Sequence, residues 1–194
     1  MGRWVPGARG RLQRAAFELF GERGFEQTTV AEIAARAGLT ERTFFRHFSD
    51  KREVLFAGQD ELTAQIVGAL AGAPAELSAL DAAVLAVEAS AEILGDRPDG
   101  ARARQTVIDA HPELRERELV KMEGLVRAIA EGLRRREVPA AAAALAASSA
   151  VAVFRMGFER WIASEDGGNL DERIREALVE LREVAAPREH KMSL

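Results

Sequence analysis

The sequence predicts an all-α protein, with an N-terminal three-helix head carrying a helix-turn-helix, a larger helical body and about nine helices in all. Three observations lead there. Ala is abundant within an apolar fraction of 47%, few segments alternate apolar with polar at a period of two, and apolar residues recur at helical spacing in one segment after another. At 194 residues the chain suits a small domain joined to a larger one, with enough apolar side chains to bury a core.

The first helix is expected from about Ala8 to Arg23. Leu12, Ala16, Leu19 and Phe20 share one face, Arg11 and Arg14 lie outside it, and Gly24 is a natural stop. Thr29 and Glu32 have the Thr-x-x-Glu spacing of a capping box, and Val30, Ile33, Ala34 and Ala37 then follow the i, i+3, i+4, i+7 rule as far as Gly38. Gly38 can turn left-handed without a Cβ clash, Leu39 can point inward, and Thr40 can cap a helix from Glu41 to Phe48. From Ser49 a further capped helix is expected through Leu55, Leu62 and Ile66 towards Ala71. Helices near 77–95, 99–110, 112–137, 139–165 and 170–186 follow, separated by Gly95-Asp96-Arg97-Pro98, Pro112, Pro139 and Gly167-Gly168. The Ala-rich run PAAAAALAASSAVAV from Pro139 reads either as a face that lets neighbouring backbones approach or as an ordinary core helix. The domain boundary is placed after residue 52, with a helix-turn-helix head and its N-terminal basic arm over 1–52 and a helical body over 53–194.

Composition narrows the chemistry. Cysteine is absent, which removes disulfides, thiolate nucleophiles and Cys-bound metals. The three histidines, His47, His111 and His190, are far apart in sequence, so neither a metal site nor a His-based triad is expected, and no cofactor or catalytic residue is called for. No run of about eighteen apolar residues occurs, and the opening MGRWVPGARGR lacks the apolar core of a signal peptide. A cytoplasmic protein without a membrane partner is expected. The net charge is −4, yet residues 1–52 carry ten Lys/Arg against six Asp/Glu, a net of +4, which leaves −8 on the remainder. A basic head sits on an acidic body.

The segment LTERTFFRHFSDKREVL, from Leu39 to Leu55, concentrates that basic character. A helix of eight or nine residues cannot stand alone, so one face must be anchored in a core. At 100° per residue Phe44 and Phe48 coincide, Phe45 lies at the edge of their face, and Arg42, Thr43, Arg46 and His47 cover the opposite side. The rings anchor the helix while the polar side is held outward, as in a helix that enters the major groove of DNA.

The stretch TTVAEIAARAGLTERTFFRHFSDKREVL resembles the N-terminal signature of TetR-family transcriptional regulators nearly throughout, over roughly residues 10–56. RTFFRHF resembles a branch common in actinobacteria, some of whose members are associated with acyl-CoA-like ligands. The resemblance implies base contacts from Glu41, Arg42, Thr43 and Arg46, and phosphate contacts from His47, Lys51, Thr28 and Thr29; Thr40 and Phe45 complete the DNA-facing set. Arg42 stands where the family often has Gly and could add a bidentate guanine contact. Phe45 replaces a Tyr whose hydroxyl commonly reaches a phosphate, and Phe has no donor. Arg3, Arg9 and Arg11 resemble an arm that either enters the adjacent minor groove or stays a solvated tail, with Trp4 unexplained within it.

In the body, the resemblance implies a homodimer formed through the last two helices as a four-helix bundle. One short helix reads only a few base pairs, so two copies on a two-fold axis are also a functional requirement. Val151, Phe154, Phe158 and Trp161 recur at helical spacing, as do Leu178, Leu181 and Val184; each set suits interface or core. A pocket for a small apolar or amphipathic effector is expected among the helices between 77 and 165. Its polar candidates are Arg104, Gln105, His111, Arg155 and Glu159, although Arg155 and Glu159 at i, i+4 can simply pair and His111 before Pro112 suits a helix terminus. The expected function is a ligand-responsive, DNA-binding repressor acting on a palindromic operator, not an enzyme. An all-α carrier or enzyme using the body pocket alone leaves the basic head unexplained. An architectural DNA-binding protein without ligand control leaves the body only a dimerisation role.

Overall fold

The computed structural model describes residues 7–95, 98–164 and 168–186, and Arg3 and Trp4 of the expected arm lie outside them. Among the described residues there are α-helices and one 3₁₀ helix and no strand. In chain order they are α1 (Ala8–Arg23), α2 (Val30–Arg36), α3 (Glu41–His47), the 3₁₀ helix (Arg52–Phe56), α4 (Gln59–Gly72), α5 (Ala79–Glu88), α6 (Ser90–Leu94), α7 (Pro98–Ala110), α8 (Pro112–Arg135), α9 (Ala140–Ala163) and α10 (Leu170–Ala185). The count reaches ten α-helices because the helix expected near 77–95 breaks at Ala89, which closes α5 and opens α6.

The helix expected as one piece from Ser49 to Ala71 is also divided. Asp50, not Ser49, does the capping: its Oδ1 accepts from the backbone N–H groups of Arg52 and Glu53 at 2.8 and 3.0 Å. The turn it opens closes as a 3₁₀ helix, Ala57 is extended (ψ 134°) and Gly58 has φ +92°, so α4 starts afresh at Gln59. The apolar spacing of Leu55, Leu62 and Ile66 runs through this break and conceals it.

The chain forms two compact units, one comprising residues up to Glu61 with Asp99–Lys121, the other Leu62–Pro98 with Met122 onward. The first unit therefore exceeds the head expected to end at residue 52. Ile108 from α7 and Leu114 from α8 are buried in one core with Leu12, Leu19, Phe20, Ile33, Phe44, Phe48 and Val54. Burying each such side chain contributes roughly 1.5–3 kcal/mol, which short helices require, since seven-residue α2 and α3 are too short to persist alone.

In the second unit α9 packs along α10 and α5. Val84, Val87, Ala147, Ala150, Val151, Phe154, Trp161 and Ile174 are buried there. A Cβ added to Gly157 would lie 2.8 Å from the backbone N of Ile174, so only glycine allows α9 and α10 to approach this closely. Within the Ala-rich run, Ala143, Ala146, Ala147 and Ala150 are core, while Ala141, Ala144, Leu145, Ser148 and Ala152 are exposed. The core-helix reading describes the first set, and the second set faces solvent. By length and composition α9 could span a membrane, with a mean hydropathy of 1.5 over its most apolar window; here it is the central helix of its unit.

Candidate nucleic-acid interface

Three local devices set the recognition helix. The capping box at α2 is complete: the Thr29 hydroxyl accepts from the Glu32 N–H at 3.2 Å and donates to Glu32 Oε2 at 2.9 Å, and that carboxylate accepts the Thr29 backbone N–H at 2.9 Å. The Thr29 amide foremost, then its hydroxyl, hold the Glu32 carboxyl below the ordinary glutamate value of 4.5. Gly38 turns at φ +65°, and the Leu39 N–H returns to the Ala34 carbonyl at 2.8 Å. Thr40 then caps α3, its hydroxyl accepting from the Thr43 N–H at 3.2 Å and lying 3.1 Å from the Thr43 hydroxyl.

α3 divides as its spacing requires. Phe44 and Phe48 are buried with ring centroids 5.5 Å apart, while Glu41, Arg42, Phe45 and Arg46 are exposed and Thr43 and His47 half-buried. Among the described residues neither Arg42 nor Arg46 forms an ion pair, which leaves both guanidinium groups for an external anion or base edge. Phe45 is 55% exposed and touches the Phe44 ring edge-on at 5.5 Å.

The expected phosphate set fares differently. Thr28 is buried, and its hydroxyl donates to the Gly24 carbonyl at 2.8 Å; it shapes the turn and is withdrawn from solvent. Lys51 Nζ donates to the carbonyls of Phe25, Glu26 and Thr28 at 2.8, 3.2 and 3.2 Å. His47 turns its Nε2 inward, where it meets no hydrogen-bond partner. Thr29 remains exposed at the start of α2. Arg9 and Arg11 belong to α1 and not to an arm: Arg9 pairs with Glu61 at 3.0 Å and lies 5.8 Å from the Phe48 centroid, and Arg11 is half-buried. Arg36 forks onto Glu22 at 2.9 and 2.8 Å, tying α2 to α1; this hydrogen bonding lowers the Glu22 carboxyl and raises the Arg36 guanidinium.

Residues 12–57 match the family described as bacterial regulatory proteins, tetR family, and residues 77–186 match the MftR C-terminal domain. The chain belongs to the TetR family. It is 39% identical over 92 residues to the HTH-type transcriptional regulator TcmR of Streptomyces glaucescens, covering 47% of this chain and 39% of TcmR. It is 29% identical over 125 residues to MftR of Mycobacterium tuberculosis, a transcriptional regulator named for mycofactocin biosynthesis, covering 64% of this chain and 63% of MftR. The matches thus span less than two thirds of either relative. Among solved structures, FadR of Thermus thermophilus, a TetR-family repressor in complex with lauroyl-CoA, is 25% identical over 96% of this chain and 99% of that one, at a TM-score of 0.55. The TetR regulator of Nitrosomonas europaea covers 91% of this chain and 97% of its own at 18% identity and a TM-score of 0.64, which supports the shared fold alone.

Of the five expected effector residues, Arg104, Gln105 and His111 fall in one compact unit and Arg155 and Glu159 in the other. Arg104 donates to the Leu55 carbonyl at 2.7 Å and to Glu118 at 2.9 Å and lies 5.2 Å from the Phe56 centroid, and Gln105 donates to Glu118 at 3.2 Å. His111 has Nδ1 2.8 Å from the Val107 carbonyl and Nε2 3.6 Å from Glu26. These three belong to the same compact unit as the helix-turn-helix, and their polar atoms are already engaged. Arg155 and Glu159 face each other at 4.0 Å on the exposed face of α9. Val67, Ala71, Gly132, Arg135 and Arg136 line a concavity of about 160 Å³ in the other unit. The sequence offered no signal for it beyond the apolar spacing of α4 and α8. Arg136 there donates to the carbonyls of Leu70, Ala73 and Pro74 at 3.2, 2.7 and 2.6 Å, capping the end of α4.

Val151, Phe154 and Trp161 are core, with Phe158 half-buried against them, whereas Leu178 and Leu181 are half-buried and Val184 is 85% exposed. Sequence reasoning missed the exposed apolar stripe of α9, in which Leu145 is 71% and Met156 45% exposed. The i, i+4, i+11, i+15 spacing of Ala141, Leu145, Ala152 and Met156 carried that signal.

Proposed function

We propose that this chain is a ligand-responsive transcriptional repressor that binds a palindromic DNA operator as a homodimer and is released by a small apolar or amphipathic effector. The observation that carries the reading is α3, a helix anchored by buried Phe44 and Phe48 that turns Glu41, Arg42, Phe45 and Arg46 to solvent with two unpaired guanidinium groups. Glu41, Arg42, Thr43 and Arg46 read base edges; Thr29 and Thr40, at the exposed helix starts, approach the phosphates. The protein works in the cytoplasm and carries out no catalysis. Its RTFFRHF helix belongs to an actinobacterial branch, a reading supported by its two curated relatives, from Streptomyces and Mycobacterium.

Leu145, Met156, Val179 and Val184, the exposed apolar residues of α9 and α10, form the interface with a second copy, and two heads then supply the specificity one short helix lacks. The effector is of the acyl-CoA class, supported by the likeness to a repressor bound to lauroyl-CoA. The concavity beside Val67 and Gly132, about 160 Å³, falls below the ~300–1,000 Å³ of ordinary ligand sites. An acyl chain therefore selects a body conformation in which α4 and α8 part, and movement of α4 shifts the spacing of the two heads. The test is a titration of lauroyl-CoA into the protein bound to a duplex it prefers. Concentration-dependent release is expected; release of unrelated duplexes alone, or none at all, contradicts the effector assignment.

A further inference from the structure

Lys51 follows the recognition helix and reaches back to the turn that precedes α2. Its Nζ donates to the carbonyl oxygens of Phe25 at 2.8 Å, Glu26 at 3.2 Å and Thr28 at 3.2 Å, and it lies 4.4 Å from the centroid of the Phe25 ring. An ammonium group has three N–H donors, so these carbonyls use all of them. The loop closed in this way contains α2, the Gly38 turn and α3, two helices of seven residues each joined by that turn and its Leu39 N–H to Ala34 carbonyl bond.

The gripped turn is a fixed point. Phe25 is buried and meets Phe20 edge-on at 5.1 Å and His111 at 5.0 Å, while the Thr28 hydroxyl closes onto the Gly24 carbonyl at 2.8 Å. Charge-assisted hydrogen bonds from a partly desolvated ammonium are stronger than neutral ones, and the Phe25 ring adds a cation–π contact.

We propose that Lys51 is a positioning residue for DNA recognition: it staples the exit of α3 to the α1–α2 turn and thereby sets the angle at which Glu41, Arg42, Phe45 and Arg46 are presented, without itself meeting a phosphate. The assignment rests on the DNA-binding function proposed above. It separates charge from geometry. Arg in this place keeps the charge, but its planar fork cannot converge donors on three carbonyls as an ammonium can. Met keeps the apolar length along Phe25 and supplies no donor.

The experiment compares the full-length wild type with Lys51→Arg and Lys51→Met at a temperature where circular dichroism shows each to be folded. Affinity for a duplex selected by the wild type and for an unrelated duplex is followed across a salt series. Both variants are expected to lose about tenfold in affinity for the selected duplex, with binding to the unrelated duplex and the salt slope unchanged. Full affinity in Lys51→Arg, or a slope lower by about one unit in Lys51→Met, overturns the staple in favour of a phosphate contact. Wild-type affinity in both variants with only a lower unfolding midpoint overturns it in favour of a stabilising role. Should Lys51→Met fail to fold, Lys51→Arg decides alone. A wild type with no sequence preference contradicts the functional reading and this assignment together; the other adverse results contradict this assignment alone.

Discussion

Phe45 illustrates how one atom divides fold from recognition. Its ring is 55% exposed on the outward side of α3, so a hydroxyl added at the para position enters solvent or meets DNA and is not buried without a partner. Phe45→Tyr is therefore expected to keep the unfolding midpoint and to tighten DNA binding by about 0.5–1.5 kcal/mol, the net worth of one hydrogen bond. Sequence preference stays the same, because phosphates carry no base information. A lower midpoint with unchanged affinity contradicts this. Arg42, unpaired and exposed beside it, has the opposite signature. Arg42→Ala should cost roughly 1–3 kcal/mol at the operator and relax preference at one base pair; an equal loss on every sequence would mark it as a phosphate contact.

Among the elements, short-range chemistry sets the head and close packing sets the body. Glu22 and Glu32 titrate below the ordinary value of 4.5, through hydrogen bonds from Arg36 and from Thr29 respectively. A depressed carboxylate adds stability that is present above its unfolded pKa and is lost as pH falls through its folded value. The unfolding midpoint should therefore decline as pH drops below about 4.5, and Glu32→Gln should flatten part of that decline; a midpoint insensitive to this substitution throughout the acid range speaks against the capping box. Glu88 acts in the opposite sense, since burial pushes its carboxyl up. In the body, Gly157→Ala places a methyl 2.8 Å from the Ile174 backbone N and is expected to cost about 1–3 kcal/mol by overpacking, read as a lower midpoint in thermal unfolding. What sequence reveals follows the range of the interaction. The Thr29–Glu32 box, the Gly38 turn and the Thr40 cap are legible because each device closes within a few residues. Lys51 reaches back to Phe25, Arg104 reaches Leu55 and Glu118, and Gly157 meets Ile174; no spacing rule announces such pairs. The break at Ala57 and Gly58 was hidden because apolar periodicity ran across it.

At the scale of the whole molecule, charge and apolar surface divide the labour. The first 52 residues carry +4 and the remainder −8, so the positive charge that the proposed attraction to phosphates needs lies on the segment that bears α3. The all-α class and the helical order of the body were readable from periodicity, whereas the partners of the polar side chains near its apolar segments were not. Arg104, Gln105 and His111 looked like polar residues stranded near apolar helices, and the structure engages them with Leu55, Glu118, Val107 and Glu26. The exposed Leu145, Met156, Val179 and Val184 give α9 and α10 an apolar face suited to a second copy. The most direct test of the central claim is selection of duplexes from a random library by the purified chain, followed by the mass of the complex on the winning sequence. The expected result is an inverted repeat with half-sites about one helical turn apart, bound by an even number of chains. Recovery of no preferred sequence, or of a single half-site bound by one chain, would contradict it.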